Sequence, residues 1–261
     1  MSRTYTIEAL VRGLRVLSLF GTSESEMTLQ QIVTASGLSK STAFRILSTL
    51  EHEGYLVRDE DTLRYRPGLA VLRLGFTALS GLGIRETAHP HLRRLSRETG
   101  ETASLSTLDG TEVIYLDRVR NRAIVGVVLG LGSRIPAHCA SMGKAMLAFL
   151  TDEELEQVLG DLAPRTPHSI TDRTRLAEEL ARVRQRGFAI NDQELEVGLR
   201  AVAAPIWNHQ RRVIAAINIT GSVSTISRQR LVEDLAPTVM RSAHEISEEL
   251  GFRPGLGDAA S

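Results

Sequence analysis

The stretch TLQQIVTASGLSKSTAFRILS, residues 28–48, decides how the first part of the chain folds. Thr28 is followed three residues later by Gln31, a pair that can exchange hydrogen bonds with backbone N–H groups at a helix start. Leu29, Ile32 and Val33 then fall on one side of a short helix that stops at Ser36-Gly37. Gly37 supplies the left-handed backbone that a tight turn between two crossing helices needs. Ser39 caps a second helix, whose inner side carries Ala43, Ile46, Leu47 and Leu50. Val33 and Ala43 are small enough to let the two helices approach. The outer side is left with Ser39, Lys40, Ser41, Thr42 and Arg45. Short hydroxyls suit phosphates, and long cations reach guanine edges or phosphates. The spacing predicts a helix-turn-helix with a face for duplex DNA, where the bland alternative is a helical hairpin with a solvated face.

The flanks strengthen the DNA reading. Leu10, Val11, Leu14, Val16 and Leu17 mark a helix ahead of the motif, ending near Phe20-Gly21. Behind it come Tyr55-Leu56-Val57, the polar turn Asp59-Glu60-Asp61 and Leu63-Arg64-Tyr65-Arg66, a hairpin closed by Pro67-Gly68. A ribbon bearing Arg58, Arg64 and Arg66 makes a winged version, whose tip can meet the backbone or minor groove. Arg12, Arg15, Arg64 and Arg66 are the phosphate or wing candidates. The charges of this region cancel, but Lys40 and Arg45 sit at the start of the second helix and Glu51 and Glu53 at its far end. A locally positive docking face on a neutral domain is expected.

Leu69, Leu72, Phe76 and Leu79 recur at helical spacing, so residues 68–83 are expected to form a linker helix. Its apolar side has little else to cover it and should pair with a second chain. Beyond it strands and helices alternate. Pro90 is read as opening a helix through Leu92 and Leu95 that closes at Gly100. Thr102–Leu108 and Glu112–Arg118 are strands joined by Asp109-Gly110, and Ala123–Leu129 is another. Ser141–Leu150 and Leu176–Arg186 are helices, with Thr151 capping one between them. Phe188–Asn191, Ala201–Trp207 and Val213–Thr220 are strands, and Leu231 to Leu250 lie on a long last helix. The class is α+β. The expected divisions are a winged domain over 1–67, the linker over 68–83, a second domain over 84–253 and a frayed tail over 254–261.

Composition removes several function classes. Lys plus Arg total 31 and Asp plus Glu total 31, so net charge gives no warrant for nucleic-acid binding and local charge must carry it. Aromatics are 4%, too few for stacking platforms on single strands. One cysteine excludes a disulfide framework. No run of about 18 apolar residues predicts a membrane span, and the N-terminus lacks a signal peptide, so a cytoplasmic location is expected. For catalysis, His138 and Cys139 are adjacent and would point oppositely on a strand, with no third group to orient them. They offer no spaced metal set, and neither metal nor cofactor is expected. Asp192, Glu194 and Glu196 read as a solvated loop. Gly130-Leu131-Gly132 lacks the third glycine of a dinucleotide loop.

Several stretches taken together carry a resemblance: Leu10-Val11-Arg12-Gly13-Leu14, Gly37 through Ala43, Gly54-Tyr55-Leu56, Gly100-Glu101-Thr102, Val113-Ile114-Tyr115-Leu116-Asp117, Ala140-Ser141-Met142-Gly143-Lys144-Ala145, Arg186-Gly187-Phe188 and Ala203-Ala204-Pro205-Ile206. Over about residues 7–251 the chain resembles the IclR-type transcriptional regulators. The resemblance implies a winged helix-turn-helix, a linker helix and a GAF-like effector domain, acting as a dimer or a dimer of dimers. It places effector contacts at Ser141, Met142 and Gly143, and at Asn191, Leu199, Ala201, Asn218 and Thr220, with Ile124, Val127 and Ile135 as apolar lining. The residues alone say that Asn218 and Thr220 share one strand face, either solvent-facing or lining a cavity. This chain departs from the family at Asn191 and Ala201, where an acid and a cysteine are frequent, and at Asn218, where a serine is. Losing an acid favours anions.

The segment Arg134-Ile135-Pro136-Ala137 running into Ser141-Met142-Gly143 resembles the subgroup that responds to protocatechuate or 4-hydroxybenzoate. The expected partners are therefore an operator in double-stranded DNA, a small organic acid, aromatic ahead of glyoxylate- or pyruvate-like, and a second copy of the chain. Donors would be the N–H groups near Ser141–Gly143, the Asn191 or Asn218 amides and Arg134. The rival reading is a small-molecule enzyme whose first domain only mediates association.

Overall fold

The computed structural model describes residues 6–21, 25–81, 83–120 and 129–253, with 76–81 as backbone only. The expected side-chain roles of Phe76 and Leu79, the strand over residues 123–128, Ile124, Val127 and the tail beyond Arg253 lie outside the described residues. Contacts divide the chain into Met1–Leu82 and Gly83–Ser261.

In the first unit, α1 spans Glu8–Ser18, α2 Leu29–Ser36 and α3 Lys40–His52. A two-stranded antiparallel ribbon follows, β1 Leu56–Arg58 and β2 Tyr65–Pro67, and then α4, Leu69–Gly81. Val16, Phe20, Met27, Ile32, Leu47, Leu56 and Tyr65 form its core. The expected apolar side of α1 is only half right. Val16 is buried and Leu17 partly so, whereas Leu10 and Leu14 are 58% and 55% exposed. One turn of helix separates Leu10 from Leu14, so both sit on one stripe, where they line an open groove with Ile46 and Leu50 of α3. On α4, Leu69, Leu72 and Leu74 are exposed as well.

The second unit is built on a six-stranded antiparallel sheet in the order β5-β4-β3-β8-β7-β6. Its strands are β3 Thr102–Asp109, β4 Glu112–Val119, β5 Arg134–Pro136, β6 Ala189–Asp192, β7 Leu199–Trp207 and β8 Val213–Ser222. Side chains alternate across it. Ile217 and Ile219 are buried on the face where α5 (Ile84–Thr99) and the last helix pack. Ala216 and Ala203 belong to the other face, in one cluster with α6 (Ser141–Leu147) and α8 (Arg173–Arg186). Between those two helices lies α7, Asp152–Val158, capped by Thr151 and Glu154 as expected. The chain closes with a short turn α9 (Arg228–Arg230), a π-helical turn Leu231–Leu235 and α10, Ala236–Glu249.

Two local expectations are corrected. Pro90 does not open α5 but lies inside it. Ile84, Ala88, Leu92 and Leu95 are buried on one stripe that runs through the proline, whose ring is on the exposed side. Burial of that stripe outweighs the hydrogen bond lost at Pro90. His138 and Cys139 occupy a 3-10 turn, Ala137–Cys139, rather than a strand, because α6 begins directly after it.

Candidate nucleic-acid interface and ligand cavity

The turn between α2 and α3 is built by its caps. Gln31 N–H donates to Thr28 Oγ1 at 3.3 Å, and Thr28 N–H donates to Gln31 Oε1 at 2.8 Å. Gly37 ends α2 with φ +68°. Ser39 Oγ accepts from the Thr42 N–H at 3.3 Å and lies 2.9 Å from Thr42 Oγ1. The Ser39, Ser41 and Thr42 hydroxyls thereby form one cluster at the start of α3. Ala43 and Leu47 are buried, which turns Lys40, Ser41 and Arg45 outward, with Thr42 half-buried. Phe44 shares that outer side at 48% exposure and escaped the sequence reading. Its signal was its absence from the inward positions 43, 46, 47 and 50, of which 43 and 47 are buried and the other two half-buried. An exposed aromatic there can meet a thymine methyl.

The other expected cations divide. Arg15 and Arg66 are exposed, and Arg12 pairs with Glu8 one turn away at 3.2 Å. Arg64 is half-buried and donates to the Glu26 carbonyl at 3.4 Å. The wing tip is acidic. Thr62 N–H and Oγ1 both donate to Asp59 Oδ1 at 2.7 Å, holding that carboxyl below its usual range, and Glu60 and Asp61 stand exposed beside it. Three carboxylates repel phosphates, so the cationic part of the wing is its flanks and not its tip.

In the second unit a cavity of about 140 Å³ opens between the start of α6 and the sheet. It brings together Ser141, Met142, Ile135, Asn191, Leu199, Ala201, Asn218 and Thr220. Asn218 and Thr220 thus face a cavity and not solvent. Asn218 is 3% exposed, its Nδ2 donates to Thr220 Oγ1 at 2.8 Å, and its Oδ1 has no partner. Asn191 lines the wall, but its amide is spent on structure. Nδ2 donates to the Cys139 carbonyl at 2.6 Å and Oδ1 accepts from the Glu194 N–H at 3.1 Å.

Two expected contacts are not in this lining. Arg134 donates to Glu112 and Asp109, each at 2.7 Å, and points away from its neighbour Ile135, as consecutive residues of a strand must. Gly143 serves packing. A Cβ there would stand 2.0 Å from the Ala137 carbonyl oxygen, so α6 can lie on that backbone only with glycine.

Two arginines line the cavity instead, Arg118 and Arg200, which the sequence reading passed over together with Tyr115. Arg118 Nη1 donates to the Leu129 carbonyl at 3.3 Å, while its Nε is buried without an acceptor. Burial pulls the Arg118 guanidinium down from its usual range, and nearby Tyr115 pulls it up. The Tyr115 ring lies 5.8 Å away, its own hydroxyl pushed up to about 12 by burial. Arg200 is occupied by Asp192 at 2.7 Å and by the Ile226 carbonyl at 2.8 Å.

Glu194 is not on a solvated loop. It is 8% exposed, and Lys144 Nζ, on a side chain almost wholly buried, donates to both of its oxygens at 2.6 and 2.7 Å. Burial pushes this carboxyl up, and Lys144 pulls it back. Asp192 feels burial too, but Arg200 and Arg228 outweigh it and hold the carboxyl low. Burial pushes the Cys139 thiol up and the His138 imidazole down, which is the reverse of an activated nucleophile with a charged partner. Among the described residues no group of three or more His, Cys, Asp or Glu side chains is placed to hold a metal ion. No described helix is long and apolar enough to cross a membrane.

A capped helix-turn-helix with a ribbon precedes, in the chain, a sheet with a cavity at a buried helix start, and two family models match these two parts. Residues 9–60 match the IclR helix-turn-helix domain, and residues 76–248 match the C-terminal domain of the bacterial transcriptional regulator IclR. The chain belongs to the IclR family. The transcriptional regulator XynR of Escherichia coli is 32% identical over 94% of this IclR-family chain and 98% of its own. The Pca regulon regulatory protein of Pseudomonas putida is 33% identical over 93% of this chain and 84% of its own. An IclR homolog from Microbacterium hydrocarbonoxydans, crystallised with 4-hydroxybenzoate, superposes with a TM-score of 0.82 at 27% identity, over 93% of this chain and 99% of that one. This IclR-family member is a DNA-binding transcriptional regulator with a C-terminal effector domain. The enzyme reading falls, because the family and its relatives are regulators.

Proposed function

We propose that this regulator binds a small organic acid with a single aromatic ring in the cavity at the start of α6, and that occupancy alters its affinity for operator DNA. The observation that carries the reading is the cavity itself. Its volume of about 140 Å³ is close to the roughly 150 Å³ that encloses one benzene ring. Tyr115, Leu129, Ile135, Met142 and Leu199 supply apolar walls, and Arg118 supplies a cation for the acid group. A glyoxylate- or pyruvate-like acid would leave much of that volume unfilled. The neighbour bound to 4-hydroxybenzoate and the resemblance to a Pca regulon regulator support the same direction.

On DNA, Lys40, Ser41, Thr42 and Arg45 enter the major groove, and Arg12, Arg15, Arg64 and Arg66 are the backbone contacts. The chain works as a dimer or a dimer of dimers, joined in part through the linker helix. Two recognition helices then meet half-sites about 34 Å apart or a multiple of it. Calorimetry with benzoate-type acids against glyoxylate and pyruvate tests the ligand, and gel shifts with and without it test the coupling. Arg45→Ala should weaken specific binding by about 1–3 kcal/mol if it reads a base edge. Exclusive binding of the short keto acids, or an unchanged gel shift in the variant, would overturn the corresponding half of the reading.

A further inference from the structure

Among the described residues, two buried polar atoms of the cavity lining lack partners, and they are of opposite kind. Arg118 Nε is a charged donor with no acceptor, and Asn218 Oδ1 is an acceptor with no donor. Both side chains line the same space of about 140 Å³. Two other polar side chains there are committed to the protein. The Asn191 amide holds the Cys139 carbonyl and the Glu194 N–H, and Arg200 holds Asp192 and the Ile226 carbonyl. Asn218 cannot simply exchange its partner, because its Nδ2 is already given to Thr220. Leaving a buried donor or acceptor unmade is costly, so the molecule that stabilises this pocket most is one that completes both at once. Glu196, also in the lining, disfavours a second carboxylate.

We infer that Arg118 and Asn218 act together as the specificity pair of the effector site, selecting a monocarboxylic acid that also carries a hydrogen-bond donor on its ring. The Arg118 guanidinium takes the carboxylate, and Asn218 Oδ1 accepts from a ring hydroxyl. This rests on the reading of the cavity as the site of a one-ring acid. It moves the acid-binding role from Arg134, whose guanidinium is closed by Asp109 and Glu112, to an arginine that lines the cavity and has an Nε without an acceptor. It also adds what no apolar wall can supply, discrimination between two acids of similar size that differ in one donor.

The test is calorimetry on the full chain with benzoate, 3- and 4-hydroxybenzoate, 4-methoxybenzoate and 4-hydroxybenzamide. The wild type should take one of the hydroxybenzoates about tenfold more tightly than benzoate or the methoxy compound, the factor that one buried hydrogen bond provides. Arg118→Gln should lose the acids by tenfold or more and weaken 4-hydroxybenzamide by a clearly smaller factor. Asn218→Leu should bring benzoate and the hydroxybenzoates to within about twofold of each other. The wild-type series needs no variant to fold, so it decides the matter if either substitution unfolds the chain. Equal affinity of the wild type for benzoate and both hydroxybenzoates, or acid binding untouched in Arg118→Gln, overturns the assignment while the one-ring-acid reading stands. If the wild type takes none of the acids, that reading itself falls and the assignment goes with it.

Discussion

Lys144, 1% exposed, donates to both oxygens of the Glu194 carboxylate, at 2.6 and 2.7 Å. Removing one member of such a pair leaves the other charged and unsolvated, whereas removing both leaves only a packing problem. Lys144→Met should therefore destabilise the second unit by about 3–5 kcal/mol, and Lys144→Met with Glu194→Leu should recover most of it. Urea unfolding of both variants measures the difference. A single variant as stable as the wild type would show that the pair does not hold the loop carrying Leu195 and Glu196. This pair also marks where sequence reading stops. The alternation of Asp192, Glu194 and Glu196 is visible in the sequence, but the lysine that turns the middle one inward is fifty positions away. Asn218 and Thr220 were legible as a pair sharing one face because strand geometry is local. Arg118 was not, since only the folded sheet shows which arginine an acid would meet.

At the scale of elements, the helix-turn-helix was readable almost to the residue, because Thr28, Gln31, Gly37 and Ser39 each act within four positions. The ribbon was legible as a ribbon, but its tip was not legible as acidic in effect until Asp59 was seen locked by Thr62. If the wing approaches phosphates, Glu60→Gln with Asp61→Asn should tighten DNA binding at low salt, with the gain fading as salt screens it. Fluorescence anisotropy across a salt series reads this, and a gain that persists at high salt would point to a change of shape instead. The linker helix α4 carries the next prediction. Leu69 and Leu72 are three residues apart, 77% and 52% exposed. Two glutamates at these positions would place unpaired charges in any interface built on that side. Light scattering should show a lower mass for Leu69→Glu with Leu72→Glu. If mass and operator affinity both stay at wild-type values, α4 is not the contact between chains.

For the whole molecule, the two units have separate cores, one around Leu47 and Tyr65 and the other around Met142 and Ala203. Calorimetric unfolding should resolve them, and a ligand of the cavity should raise only the transition of the second. At a hundred times its Kd the added stability is about 2.7 kcal/mol. A ligand that raised both transitions alike would mean that the units unfold together. Within the second unit, Asp117 and Arg118 are consecutive on β4, so their side chains leave it on opposite sides. Arg118 enters the cavity, while Asp117, buried, takes the Nδ1 hydrogen of His89 at 2.7 Å and lies 3.8 Å from Arg85 Nε, both on α5. The two faces of β4 thus meet across one peptide bond, with the cavity on one side of it and the polar side chains of α5 on the other.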